Sequence, residues 1–205
     1  MATLPQFTLD FNHKIKLSND GGELSSDTGE FLFREFDEKI GFSTTLAKFL
    51  NLEDKRRYYV HSNENLLRQK IYQIIAGYTD DDAADQLTKD PVFTQIIGTE
   101  ALASQPSLSR FFRRFDRRSI EELNQANQEL IDRVHQFRDS KAVIFDLDST
   151  HSDTYGNQES AAYNAHYGTV GFHPLVAFDG VTGDFIKARL RPGNVYTSNS
   201  VVEFI

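Results

Sequence analysis

Two aspartates close a short apolar run, Ala142-Val143-Ile144-Phe145-Asp146-Leu147-Asp148. On a strand, residues two apart point to the same face, so Asp146 and Asp148 present their carboxylates together. Two carboxylates at the end of a buried strand repel and lose hydration unless a cation or hydrogen bonds compensate. Hard oxygen ligands of this kind suit Mg²⁺ or Mn²⁺. The plainer alternative is a strand end where one acid caps the loop and the other is solvated. A second group is basic. Between Ser107 and Arg118 stand five arginines, Arg110, Arg113, Arg114, Arg117 and Arg118, against one acid, Asp116. Arginine pairs with phosphate through two parallel hydrogen bonds. Arg110, Arg113 and Arg114 fall within one helical turn, with Phe111, Phe112 and Phe115 between them, which gives one helix a basic and an apolar face. The plainer alternative here is a solvated face paired with Glu121 and Glu122.

Other residue types exclude chemistry. The 205 residues hold no cysteine, so disulfides, thiolate metal sites and cysteine nucleophiles are ruled out. His151, His166 and His173 are spaced by fifteen and seven residues, which matches no short zinc pattern; each reads as a packed or solvent-facing residue. Asp80-Asp81-Asp82 reads as a helix start. Asp179, before Gly180, reads as a turn residue. Phenylalanine is plentiful and tryptophan absent, which reads as core material rather than a base-stacking platform. The net charge of −8 argues against a generic nucleic-acid binder, but the charge is sorted by region: Val143–Ile205 has seven acids and three Lys or Arg. No apolar run is long enough to span a bilayer, and the start lacks a secretory signal, so a cytoplasmic protein is expected.

The elements that must position these groups change character along the chain. An extended start with a turn at Asn19-Asp20-Gly21-Gly22 leads to a helix from Ser26 or Asp27 to Gly41, with Leu32, Phe33, Phe36 and Ile40 on its apolar face. Helices are predicted over Thr44–Leu50 and Asn63–Tyr78, the latter with Leu66, Leu67, Ile71, Ile74 and Ile75 on one side. A short helix follows Asp82 and ends before Pro91. Ser107–Phe115 reads as the basic helix, and helix-turn-helix pairing with the Asp82–Leu87 helix is conceivable although the intervening segment is long. The longest helix runs from Ser119 to Phe137, with capping-box spacing at Ser119-Ile120-Glu121-Glu122 and a stripe of Ile120, Leu123, Leu130, Val134 and Phe137. From Lys141 the texture turns to strands: 142–148, Ala162–Val170, Phe172–Phe178 and Asp184–Leu190, with a hairpin turn at 179–183 and the first turns of a helix at Ser198–Ile205. The expected class is α+β, with residues 1–137 helical and 138–205 mixed.

Two family resemblances follow from these residues. Val143-Ile144-Phe145-Asp146-Leu147-Asp148-Ser149-Thr150 resembles the first motif of haloacid-dehalogenase-type phosphatases, which implies Asp146 as nucleophile and Asp148 as general acid. Ser149 stands where that motif has Gly, and strands rather than a helix follow. The second resemblance covers far more of the chain. Asp146-Leu147-Asp148-Ser149-Thr150, Gly156-Asn157-Gln158-Glu159, Tyr163-Asn164-Ala165-His166-Tyr167-Gly168, His173-Pro174-Leu175 and Leu190-Arg191-Pro192-Gly193-Asn194 occur in that order. So do Ser26-Asp27-Thr28-Gly29, Arg68-Gln69-Lys70-Ile71-Tyr72, Ala76-Gly77-Tyr78-Thr79-Asp80, Leu87-Thr88-Lys89-Asp90-Pro91 and Ser107-Leu108-Ser109-Arg110-Phe111. The whole resembles the N-terminal part of a bacterial DDE-type insertion-sequence transposase, closest to the insertion sequence 1380 family.

That resemblance implies an RNase H-like catalytic domain in which three acids hold two divalent metals, Mg²⁺ or Mn²⁺. Two such metals about 4 Å apart activate a water or 3′-hydroxyl and stabilise the leaving oxygen. The first catalytic Asp corresponds to Asp148, with Asp146 as second choice. The second Asp and the final Glu correspond to nothing here, and Asp179, Asp184 and Glu203 do not fill those roles. The resemblance therefore implies the start of a catalytic domain over 138–205, inactive by itself, after a DNA-binding region over 1–137. The implied partner is double-stranded DNA carrying terminal inverted repeats, held by Arg110, Arg113, Arg114, Arg117 and Arg118 with Arg68 and Lys70 in support; a homo-oligomer and a non-catalytic DNA-binding or interaction fragment are the further readings.

Overall fold

The computed structural model describes residues 7–17, 26–138 and 142–205. The turn expected at 19–22 and the change of texture at Lys141 lie outside the described residues. Contacts divide the chain into two compact units, 1–119 and 120–205.

In the first unit, β1 (Phe7–Thr8) and β2 (Lys16–Leu17) form an antiparallel ribbon ahead of α1 (Glu30–Ile40), α2 (Phe42–Phe49), α3 (Asn63–Ile75), α4 (Ala83–Gln86), α5 (Pro91–Ile97) and α6 (Gln105–Phe112). Gly41 separates α1 from α2 because it takes a left-handed conformation, φ 69°, which costs glycine little. Ser62 caps α3 by accepting from the Asn65 N–H at 3.1 Å. α5 was not expected. Its signal is present in Asp90-Pro91 and Gly98: Asp90 accepts from the Val92 and Phe93 N–H groups, Pro91 opens the helix, and left-handed Gly98 ends it. Because α5 lies between α4 and α6, those two are not a helix-turn-helix pair. Leu9, Tyr72, Phe93 and Ile96 form one core cluster, and Leu66, Ala103, Leu108 and Phe111 a second.

α1 packs opposite to expectation. Leu32, Phe33, Phe36 and Ile40 are exposed, while Glu30, Arg34, Glu35 and Asp37 are buried. Partners inside the unit make this tolerable. Asp37 accepts from the Ser43 N–H at 2.7 Å and the Tyr72 hydroxyl at 3.0 Å, and Glu35 accepts from the Asp10 N–H at 2.6 Å. α3 keeps Leu66, Leu67 and Ile71 against the core as expected and adds Gln69, Tyr72 and Gln73, but turns Ile74 and Ile75 outward. Gln69 is satisfied there by donating to the Ala103 carbonyl and accepting from the Ala103 N–H, both at 2.9 Å.

α7 (Arg117–His135) begins two residues before the expected cap. Asp116 does the capping, accepting from the Ser119 N–H at 2.9 Å while the Ser119 hydroxyl accepts from the Asp116 N–H at 3.2 Å. From residue 120 this helix belongs to the second unit, with β3 (Phe145–Ser149), β4 (Ser152–Asp153), β5 (Ala162–Asn164), β6 (Thr169–Phe172), β7 (Leu175–Asp179), β8 (Phe185–Arg189) and α8 (Val201–Phe204). The stretch read as one strand over 162–170 is a hairpin, turned at left-handed Gly168. Two antiparallel sheets result, ordered β3-β7-β8 and β4-β6-β5. Asn124 and Asn127 of α7 donate to the carbonyls of Ala188, Phe185 and Ile186, and the Ala188 N–H returns to Asn124, so side-chain amides satisfy the outer edge of β8. Leu175 and Ala177 pack under Phe204. β3 is the other edge and begins only at Phe145; Val143, Ile144 and Phe145, read as part of a buried strand, are exposed.

Candidate functional site

Asp148 stands opposite Val176 and Asp146 opposite Phe178 in the β3–β7 register, so the two carboxylates share a face. They do not share a site. Asp148 lines an open cleft of about 550 Å³ with Ser149, Tyr163, His166, Tyr167 and His173, closed on one side by the 193–197 loop. Asp146 lies toward the 179–183 turn, where a Cβ added to Gly180 would come within 3.7 Å of its own. One Asp148 oxygen accepts from the Ser149 N–H at 2.7 Å. Asp179 is a buried turn residue: it accepts from the N–H groups of Val181 at 2.9 Å and Ile144 at 3.4 Å, bonds that hold its carboxyl below the ordinary range.

The Leu190–Asn194 and Tyr163–Gly168 motifs build the walls. Arg191 is buried, donating from Nε to the His173 carbonyl at 3.1 Å and from Nη1 to the carbonyls of Tyr196, Thr197 and Asn199 at 3.0–3.2 Å. Burial, with Arg189 nearby, lowers its pKa from the usual arginine value. Asn164 donates to the Gly193 carbonyl at 2.6 Å, and its own oxygen accepts from the N–H groups of His166 and Tyr167. Gly193 must be glycine, because a Cβ there would sit 2.3 Å from the Ala162 carbonyl oxygen. The Ser149 and Thr197 hydroxyls meet at 2.5 Å and tie β3 to the loop. Although read singly, the three histidines converge on Tyr167: His151 stacks on it at 4.6 Å, His166 meets its edge at 4.8 Å and His173 lies at 6.1 Å. His173 Nδ1 is bonded to the Val195 carbonyl at 2.7 Å, and His151 Nε2 lies 2.7 Å from Thr169 Oγ1 and 2.9 Å from Asp153.

The basic residues of the first unit divide into two kinds. Arg110, Arg113 and Arg117 are exposed, with no ion pair to any described residue; Arg118 is exposed, close enough to help lower the Asp116 pKa, though the Ser119 hydrogen bonds lower it more. Arg68, Lys70 and Arg114 are held internally. Arg68 pairs with Glu64 at 2.9 Å and bonds Ser43, Lys70 pairs with Asp81 at 2.7 Å, and Arg114 bonds Asn63 and lies 3.6 Å from Asp54. Arg113 and Arg114 border a shallow recess with Glu53, Asp54, Lys55 and Arg56. Arg56 grips Asp54 through Nε at 2.8 Å and Nη2 at 2.5 Å and also donates to the His61 carbonyl. These Arg56 hydrogen bonds outweigh burial and, helped by the Arg114 charge, lower the Asp54 pKa to about 2. Burial, reinforced by Arg56, lowers that of His61. Sequence reasoning passed over this run, Lys55-Arg56-Arg57-Tyr58-Tyr59, although three consecutive cations followed by two tyrosines are a legible signal.

Among the described residues no group of three or more His, Asp or Glu side chains could hold a metal ion. Asp148 alone brings a carboxylate to the cleft, so the described residues do not compose a two-metal centre. No helix among them is long and apolar enough to cross a membrane. Comparison with curated proteins and with solved structures gave no match. The family profile described as transposase DDE domain group 1 matches residues 7–205, both units and the Asp148 strand included, and the chain belongs to that DDE transposase family.

Proposed function

We propose that the chain is an insertion-sequence transposase of the insertion sequence 1380 type that engages DNA at the terminal inverted repeats. Arg110, Arg113, Arg117 and Arg118 make the phosphate contacts; Arg114, Arg68 and Lys70 hold the surface that presents them. Asp148 supplies one carboxylate to a Mg²⁺- or Mn²⁺-dependent strand cleavage and transfer, with Asp146 the alternative ligand. The observation that carries the reading is the family match across 7–205 together with the position of Asp148 in the lining of an open cleft. The antiparallel order β3-β7-β8 supports an RNase H-like start, whereas the phosphatase reading of Asp146 calls for a parallel neighbour reached through a helical crossover.

With one carboxylate in the cleft, the 205-residue chain binds DNA and does not cut it. Electrophoretic shift with terminal-repeat duplex across a salt series tests both halves. Binding weakens steeply with salt, and Arg110→Ala/Arg113→Ala/Arg117→Ala makes the log–log slope shallower by about one for each phosphate that the variant no longer neutralises. A salt-insensitive complex, an unchanged slope in the triple variant, or cleavage of the duplex in Mg²⁺ refutes the corresponding part.

A further inference from the structure

The segment between α2 and α3 displays what a folded chain ordinarily hides. Tyr58 is 82% exposed and Tyr59 58%. Each ring has an arginine over one face, Arg57 at 5.6 Å from the Tyr58 centroid and Arg56 at 4.9 Å from that of Tyr59. Arg56 is itself fixed by Asp54 and the His61 carbonyl, so Tyr59 rests on an anchored cation rather than a mobile one. The surroundings are positive. Lys55, Arg56, Arg113 and Arg114 line one recess with two acids, Glu53 and Asp54, and Arg57 follows them in the sequence, in a chain whose net charge is −8. Asp54 is engaged by Arg56 and Arg114, and Glu53 pairs with Lys55 at 3.4 Å in solvent.

Cations beside exposed rings fit a DNA strand whose bases are unpaired. Phosphates meet the cations, and each base offers a π-face to a ring, whatever its sequence. An intact duplex keeps those faces inside its stack and has no use for the rings. We propose that the Lys55–Tyr59 segment with Arg113 is a single-strand site, where unpaired bases stack on Tyr58 and Tyr59 while Lys55, Arg57 and Arg113 hold the phosphates. The proposal rests on the DNA-binding reading above and adds to it a preference for melted or frayed DNA.

The test compares the whole chain's affinity for a blunt duplex and for the same duplex carrying an oligo-thymidine tail. Wild type binds the tailed DNA tighter by about tenfold, in the range alanine substitution assigns to one stacked base. Tyr58→Ala/Tyr59→Ala abolishes that margin and leaves blunt-duplex affinity unchanged; Tyr58→Phe/Tyr59→Phe keeps it, because the ring and not the hydroxyl does the stacking. Both residues are exposed, so the variants retain the wild-type circular dichroism spectrum. Equal affinity for the two DNAs, or a margin that survives the double alanine variant, overturns the single-strand site while duplex binding stands. Failure to bind either DNA overturns the DNA-binding reading and this one with it.

Discussion

Asp54 is the electrostatic keystone of the basic recess, and replacing it with Asn separates charge from shape. In the folded chain its pKa falls from the ordinary 3.8 to about 2, chiefly through hydrogen bonds from the Arg56 guanidinium. At 1.36 kcal/mol per pH unit this linkage amounts to about 2.4 kcal/mol. The Asp54 side chain is 20% exposed and that of Arg56 31%, so solvent screening reduces the value to roughly 1–2 kcal/mol. The sign follows from the depressed pKa: the stabilisation is complete above the unfolded value near 4 and is lost as pH falls toward 2. Asp54→Asn therefore lowers the stability of the helical unit near neutrality and removes this part of its acid dependence. Urea unfolding, followed by circular dichroism at about pH 6 and again near pH 2, gives a wild-type advantage that shrinks almost to nothing at the lower pH. An advantage of equal size at both pH values would show that Asp54 acts through packing, and the reasoning would fail.

Gly193→Ala forces a Cβ to within 2.3 Å of the Ala162 carbonyl oxygen and 2.6 Å of that of Gly171, neither of which can swing away. It destabilises the second unit by about 1–3 kcal/mol, as an over-packed site does, and speeds amide exchange at 162–171; unaltered exchange there contradicts the close approach. Gln69→Leu is equal in bulk but strands the N–H and C=O of fully buried Ala103. A destabilisation of about 2–4 kcal/mol is expected from two unsatisfied buried groups, read as a lower urea midpoint, and a value near zero would mean that water replaces the amide.

How much of this was legible in the sequence depends on what set each feature. Helix positions in the first unit, α5 apart, were legible because capping chemistry is local: Ser62 and Gly41 act on neighbours within a few residues. The faces of those helices were not. The stripe Leu32, Phe33, Phe36 and Ile40 has the right spacing for a core, yet Asp37 and Glu35 point inward because partners distant in sequence, Tyr72 and Asp10, satisfy them. Hydrophobic periodicity cannot register such partners. The Asp146/Asp148 alternation survives as a shared face, but it takes the 193–197 loop, some forty-five residues on, to make a site of Asp148 and not of Asp146. The histidines looked isolated for the same reason: only the β5–β6 hairpin brings Tyr167 among them.

The motif residues around the cleft therefore divide by role. Asn164 holds the Gly193 carbonyl and Arg191 the carbonyls of Tyr196, Thr197 and Asn199, so both fix the 193–199 loop, while Gly193 lets that loop approach Ala162 and Gly171. Arg191 is instructive. A guanidinium beside a carboxylate-bearing cleft invites assignment as a phosphate ligand, but this one is buried and donates to four carbonyls, which makes it a brace for the cleft wall. Asp148, with one oxygen engaged by a neighbouring N–H and the other unbonded to any described residue, is the group still able to take a ligand. On the metal-dependent reading proposed above, a single carboxylate cannot hold two divalent ions in register, and the cleft would need further oxygen donors. The bonded walls serve to keep Asp148 stationary, which is what the proposed metal-ligand role asks of it.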